Sequence, residues 1–128
     1  MNCLDHDDGI PSSEVPKYVP RFEKASPTFG AVFAYGLSAC ENWPVRTGRK
    51  SEPVEAKGAA PIMVVGTTRD PATPLVWARS LADQLDSGFL VTRDGDGHTG
   101  YQAGNACVDR TVEAYLVEGK VPSGEVDC

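Results

Sequence analysis

Pro61-Ile62-Met63-Val64-Val65-Gly66-Thr67-Thr68-Arg69-Asp70-Pro71-Ala72-Thr73-Pro74 decides the fold of this chain. Its opening, Pro61 to Thr67, is a short unbroken apolar run, the pattern of a strand buried on both faces of a parallel sheet. Just beyond, residues 74–86 put Leu75, Trp77, Ala78, Leu81, Ala82 and Leu85 on one helical stripe. Gly88-Phe89-Leu90-Val91-Thr92 reads as a second strand, and residues 105–117 as a closing helix with Ala106, Val108, Val112, Tyr115 and Leu116 facing inward. Strand, helix, strand and helix in that order predict an α/β fold with a parallel sheet and a right-handed crossover.

The first half of the chain is less regular. Pro11, Pro16, Pro20 and Pro27 break residues 1–28, which are also rich in acid. Residues 29–39 are small and apolar and predict a helix that stops before Cys40-Glu41-Asn42-Trp43-Pro44, where proline forces a turn. Residues 45–60, with Gly48, Pro53 and Gly58, read as a polar surface connection. Two segments are therefore expected: an irregular and helical one over 1–57, and an α/β one over 58–128.

At 128 residues the chain holds one domain at most, with a modest core. A net charge of −6 argues against nucleic acid or an anionic membrane as partner. No apolar run approaches the roughly 20 residues of a membrane span. Met1 is not followed by the basic and apolar regions of a secretory signal.

The four cysteines, Cys3, Cys40, Cys107 and Cys128, contain no Cys-x-x-Cys pair, which weakens zinc and thioredoxin-like readings. An even number, widely spread and ending on the last residue, suits two disulfides. Of the three connectivities the local ones, Cys3–Cys40 and Cys107–Cys128, are favoured over four reduced, buried thiols. Asp5-His6-Asp7-Asp8 suggests a metal cluster, but it lacks helical i,i+4 spacing and a second nearby histidine. A solvated acidic loop is the better reading.

Chemistry concentrates in Asp70 and in Gly95-Asp96-Gly97-His98-Thr99-Gly100-Tyr101. In open parallel sheets functional groups gather beyond the carboxyl ends of the strands. Asp70 follows the first strand and His98 follows the second, so both emerge at one edge of neighbouring strands about 4.8 Å apart. That geometry lets Asp70 accept a bond from imidazole Nδ1 and leaves Nε2 as a general base. An acid after one strand and a histidine after the next is the order of the last two members of a Ser-Asp-His triad in an α/β-hydrolase. Each residue also has a plainer reading. Asp70 before Pro71 suits a helix N-cap, and His98 among glycines suits a surface loop.

A calcium loop at Asp94-Gly95-Asp96 fails, because its fifth position would be His98 and its glycine position is Thr99. No Gly-x-Ser-x-Gly occurs. Gly36-Leu37-Ser38-Ala39-Cys40 comes nearest, but a cysteine replaces the last glycine of the sharp turn, and Pro44 interrupts the helix that should follow. Ser38 is rejected as a nucleophile.

The Pro61–Pro74 run, the Gly95–Tyr101 loop, Cys3-Leu4-Asp5, Cys40-Glu41-Asn42-Trp43-Pro44, Asn105-Ala106-Cys107-Val108 and the terminal cysteine together resemble the secreted tripeptidyl aminopeptidase-like α/β-hydrolases of actinobacteria. The resemblance spans nearly the whole chain. It implies the C-terminal portion of an exported serine exopeptidase acting on peptides, with Asp70 and His98 as triad members and the local disulfides supported. It implies no metal or organic cofactor. It also implies that the serine, the oxyanion donors and the export signal lie in a portion preceding Met1, with residues 1–57 returning from the lid into the core. By itself the chain is then expected to be inactive. An esterase or lipase on the same scaffold, and a non-catalytic interaction domain descended from one, are the rival readings.

Overall fold

The computed structural model describes residues 2–5, 9–45, 48 and 52–128. Two compact units divide the chain, Met1–Glu52 and Pro53–Cys128. The break falls earlier than the expected one after Lys57. Asp86 N–H donates to the Glu55 carbonyl at 2.7 Å and Ala56 packs on the core of the second unit, so residues 53–57 belong with the α/β segment.

The first unit is more helical than its prolines suggest. It contains α1 (Asn2–Asp5), a 3₁₀ turn over Ser12–Lys17, α2 (Val19–Ala25), α3 (Gly30–Ala34) and a second 3₁₀ turn over Tyr35–Ser38. Two of the prolines sit where a missing N–H costs little, Pro11 just before the first 3₁₀ turn and Pro20 in the first turn of α2, whereas Pro16 lies inside that 3₁₀ turn. The helix predicted over 29–39 is present but tightens to 3₁₀ after Ala34. Val15 and Ala34 are fully buried, and any Cβ at Gly30 would strike the Phe22 backbone, so glycine permits this close approach. A Cys3–Cys40 disulfide, Cα atoms 5.4 Å apart, and a bond from Ile10 N–H to the Leu37 carbonyl at 3.1 Å close the unit.

The second unit runs β1 (Ile62–Arg69), α4 (Leu75–Gln84), β2 (Gly88–Asp96), α5 (Ala106–Glu118) and β3 (Val126–Asp127). The sheet order is β1-β2-β3 and both pairings are parallel. Ile62 faces Gly88 and the register continues to Thr67 opposite Arg93. It then slips, so that Arg69 faces Asp96. Successive strand residues serve opposite faces. Val64 and Leu90 pack with Ala82 and Leu85 on one side, while Phe89 and Val91 pack with Val108 and Val112 on the other. Gly66 admits α4: a Cβ there would lie 2.7 Å from Leu75 Cδ1 and 2.8 Å from Ala78 Cβ.

Several sequence expectations change here. The second strand does not stop at Thr92 but continues to Asp96, because Arg69 reaches across to Asp94 at 2.8 Å and Asp96 at 2.6 Å. Leu116 is 67% exposed and Ala106 is exposed rather than inward, and on the α4 stripe Trp77 and Leu81 are exposed while Ala82 and Leu85 are buried. The short third strand lies outside the sequence expectations. It is held by Cys128 N–H on the Thr92 carbonyl at 2.8 Å and by the Cys107–Cys128 disulfide. Asn105 caps α5, its side-chain oxygen accepting from Cys107 N–H at 2.9 Å and Val108 N–H at 3.3 Å, while its Nδ2 donates to the Cys128 carbonyl at 2.7 Å. Gly119, at φ 65°, ends the helix in the left-handed conformation. No helix among the described residues is long and apolar enough to cross a membrane.

Candidate active site

Asp70 is the first residue after β1, and His98 lies two residues after β2. Because the strands are parallel neighbours, both side chains stand at the same end of the sheet. They meet there: His98 Nδ1 lies 2.9 Å from Asp70 Oδ2 and 3.1 Å from Oδ1.

The carboxylate is built to stay charged. Asp70 is buried, yet both oxygens are fully engaged. Oδ1 accepts from the backbone N–H of Ala72 at 2.8 Å and of Thr73 at 2.9 Å. Oδ2 accepts from the Thr73 hydroxyl at 2.8 Å and from Thr99 N–H at 3.3 Å. The Thr73 backbone N–H contributes most to holding the carboxyl well below the usual carboxylate range. Burial works in the opposite direction, and His98, Ala72 and the Thr73 hydroxyl reinforce the lowering. An ionised carboxylate only accepts, so the proton of this bond sits on Nδ1. In the neutral imidazole Nε2 then keeps the free lone pair. The His98 side chain is 55% exposed, and it lines a cleft of about 650 Å³ with Thr67, Trp77, Leu81 and Tyr101.

The N-cap reading of Asp70 does not hold for α4. That helix begins at Leu75 after Pro74, and Asp70 instead closes the turn Pro71–Thr73 with its own side chain. Thr73 and Thr99 are partners that sequence reasoning missed. An Asp followed three residues later by Thr is a local turn signature that points to Thr73. Thr99 has no such signal, because its φ of 71° and its tether to the Thr67 hydroxyl, 2.9 Å from the Thr99 carbonyl, arise only from the fold.

Ser38 lies in the 3₁₀ turn of the first unit, where its hydroxyl donates to the Tyr35 carbonyl at 2.9 Å. His6, Asp7 and Asp8 of the acidic cluster lie outside the described residues. Among those described, no group of three or more His, Cys, Asp or Glu side chains is placed to hold a metal ion.

A parallel sheet flanked by helices, with an acid and a histidine at the carboxyl ends of adjacent strands, has the architecture of part of an α/β-hydrolase. The family is more specific still. Residues 26–128 match the family described as TAP-like protein, and the chain belongs to that family. It is 35% identical over 135 residues to the serine protease Hip1 of Mycobacterium tuberculosis, an alignment that covers 100% of this chain and 25% of that protein. It is 40% identical over 89 residues to carboxylesterase B of the same species, and 31% identical over 90 residues to the tripeptidyl aminopeptidase of Streptomyces lividans. Each of these two alignments covers 70% of this chain and 17% of the relative. The chain spans about a quarter or less of the length of the curated relatives it matches.

Proposed function

We propose that this chain is the C-terminal, acid-and-base-bearing portion of a serine exopeptidase that removes short peptides from free N-termini. The observation that carries the reading is the Asp70–His98 bond, made on Nδ1 by a histidine that lines the cleft. The nucleophilic serine and the oxyanion donors belong, on this reading, to a portion preceding the chain, since the triad order of the fold is Ser, Asp, His. His98 Nε2 takes the serine proton as the serine oxygen bonds to the scissile carbonyl carbon. It then gives that proton to the leaving amine as the C–N bond breaks. Asp70 touches neither carbonyl nor amine; it fixes the Nδ1–H tautomer and stabilises the imidazolium. Two disulfides and the tripeptidyl aminopeptidase relative support an exported enzyme.

A second reading, an esterase on the same residues, is favoured by the 40% identity to a carboxylesterase. Both use the same triad and differ in the leaving group. The test takes the chain together with its serine-bearing portion and compares tripeptidyl amides with short-chain esters. Preferential turnover of amides with a free α-amine supports the exopeptidase, and ester preference supports the alternative. Absence of hydrolysis of either, in a folded protein, would overturn both. The chain alone is expected to hydrolyse neither.

A further inference from the structure

The loop that carries His98 has a conformation its own residues do not favour. Gly97, Thr99, Gln102 and Gly104 all have positive φ, at 98°, 71°, 58° and 81°. For Thr99, branched at Cβ, this is a strained region, and such backbone persists only where surrounding contacts over-determine it. The bonds of Thr99 to Asp70 and Thr67 pin the residue beside the imidazole. They do not fix the loop's two feet.

Arg93 does. From β2 its guanidinium donates through Nη1 to the Asp96 carbonyl at 2.9 Å and through Nη2 to the Ala103 carbonyl at 3.0 Å. These two carbonyls bracket the loop on either side of His98. Gly95 leaves room for the crossing, since a Cβ there would lie 2.8 Å from Arg93 Cζ. Two further features set this arginine apart from an ordinary surface one. Its Nε is buried without a hydrogen-bond partner, and among the described residues no carboxylate forms an ion pair with it. Arg69 on the neighbouring strand does the reverse, pairing with Asp94 and Asp96. A rigid planar fork suits the spanning of two acceptors at a set separation, whereas an ammonium is a single point of attachment.

We propose that Arg93 is a positioning residue for His98, its guanidinium fixing the separation between the two feet of the histidine loop. The proposal rests on reading His98 as the general base, and adds to it a side chain that touches neither substrate nor reacting atoms. The test uses the chain with its serine-bearing portion, isotope-labelled at the histidine ring nitrogens, and compares wild type with Arg93→Met and Arg93→Lys. Methionine keeps much of the apolar stem and removes both bonds. The expected result for Arg93→Met is a kcat lowered about 10- to 100-fold with KM changed less than about threefold. The Nδ1–H resonance of His98 should broaden or vanish, while the melting temperature stays close to wild type. Arg93→Lys should recover only part of kcat.

An unchanged Nδ1–H resonance in Arg93→Met overturns the proposal, whether or not kcat falls. So does a kcat loss matched by an equal loss of folded protein. Should Arg93→Met fail to fold, the same resonance in Arg93→Lys decides. Wild-type turnover by His98→Gln would instead remove the catalytic reading of His98, and the Nδ1–H comparison would still decide whether Arg93 positions the loop.

Discussion

Asp70 concentrates five donors on one carboxylate, and that accounting sets what its replacement should do. Asn keeps the shape but presents an amide where two oxygens now accept, so the Nδ1–H tautomer of His98 loses its partner. If the proposed function holds, Asp70→Asn in the chain joined to the serine-bearing portion that this function requires should lower kcat by about 10³- to 10⁴-fold with KM little changed. Steady-state kinetics on a tripeptidyl amide checks this. The same residue makes a pH prediction whose sign follows from linkage. The folded carboxyl binds its proton more weakly than the unfolded one, so acid favours the unfolded chain. The stabilisation is complete above the ordinary carboxylate range and is lost as pH falls toward the depressed folded value. Asp70→Asn should therefore be less stable than wild type at pH 7, with a gap that narrows on acidification. Urea midpoints measured from pH 7 down to about pH 3 test it, since ordinary aspartates titrate near 3.9. A gap that stayed constant would contradict the assignment. Asp70 and His98 are legible in the sequence because the chemistry of each sits at a strand end that the apolar pattern reveals. Thr99 and Arg93 are not, because a positive φ and a guanidinium crossing between two carbonyls are products of the folded loop.

Elements are legible where side-chain burial alone decides them. The apolar run of β1 and the stripes of α4 and α5 announce strand–helix–strand–helix because both faces of the sheet are covered. The polar end of β2 is hidden. Arg93-Asp94-Gly95-Asp96 has the composition of a loop, and it is extended only because Arg69, Thr68 and Asp94 bind one another across the two strands. The Arg69 guanidinium is accordingly held above its ordinary pKa by Asp96 and then Asp94, and Asp94 is held below its ordinary value chiefly by its hydrogen bond from Arg69. Arg69→Ala should fray this end of β2 without unfolding the sheet. Hydrogen exchange at the amides of residues 94–96 should accelerate while that of Leu90 and Val91 stays slow. Equal acceleration at both places would show that the cluster supports the whole strand. The two-residue β3 is unreadable for a different reason: its pairing depends on the Cys128 tether rather than on its own pattern. Asn105 joins these parts, capping α5 and binding the Cys128 carbonyl. Asn105→Ala should cost about 1 to 2 kcal/mol in urea unfolding, at the upper end of a lost N-cap because a second hydrogen bond goes with it.

Across the whole molecule the decisive feature is an edge. Among the described residues β1 pairs only with β2, so one row of its backbone N–H and C=O groups has no strand partner. That edge borders the cleft where Trp77 and Leu81 remain exposed. An unpaired strand beside apolar side chains is a template for pairing with another chain. Natural protections of such edges include charge, proline and bulges. In β1 the only irregularity lies at its far end between Thr67 and Arg69, and the run Ile62 to Thr67 carries no charge. The relatives, about four or more times longer, carry additional chain that is available to cover such an edge. The chain in isolation is therefore expected to self-associate. Light scattering coupled to size exclusion should show a mass above the monomer that rises with concentration. Val65→Lys, at a half-buried position of β1 that lines the cleft, should reduce the association if the edge drives it. A monodisperse monomer that unfolds in one sharp transition would show instead that the sheet closes its own edge. An associated state indifferent to Val65→Lys would move the contact to the exposed aromatic side chains of Phe29, Phe33 and Tyr35 in the first unit.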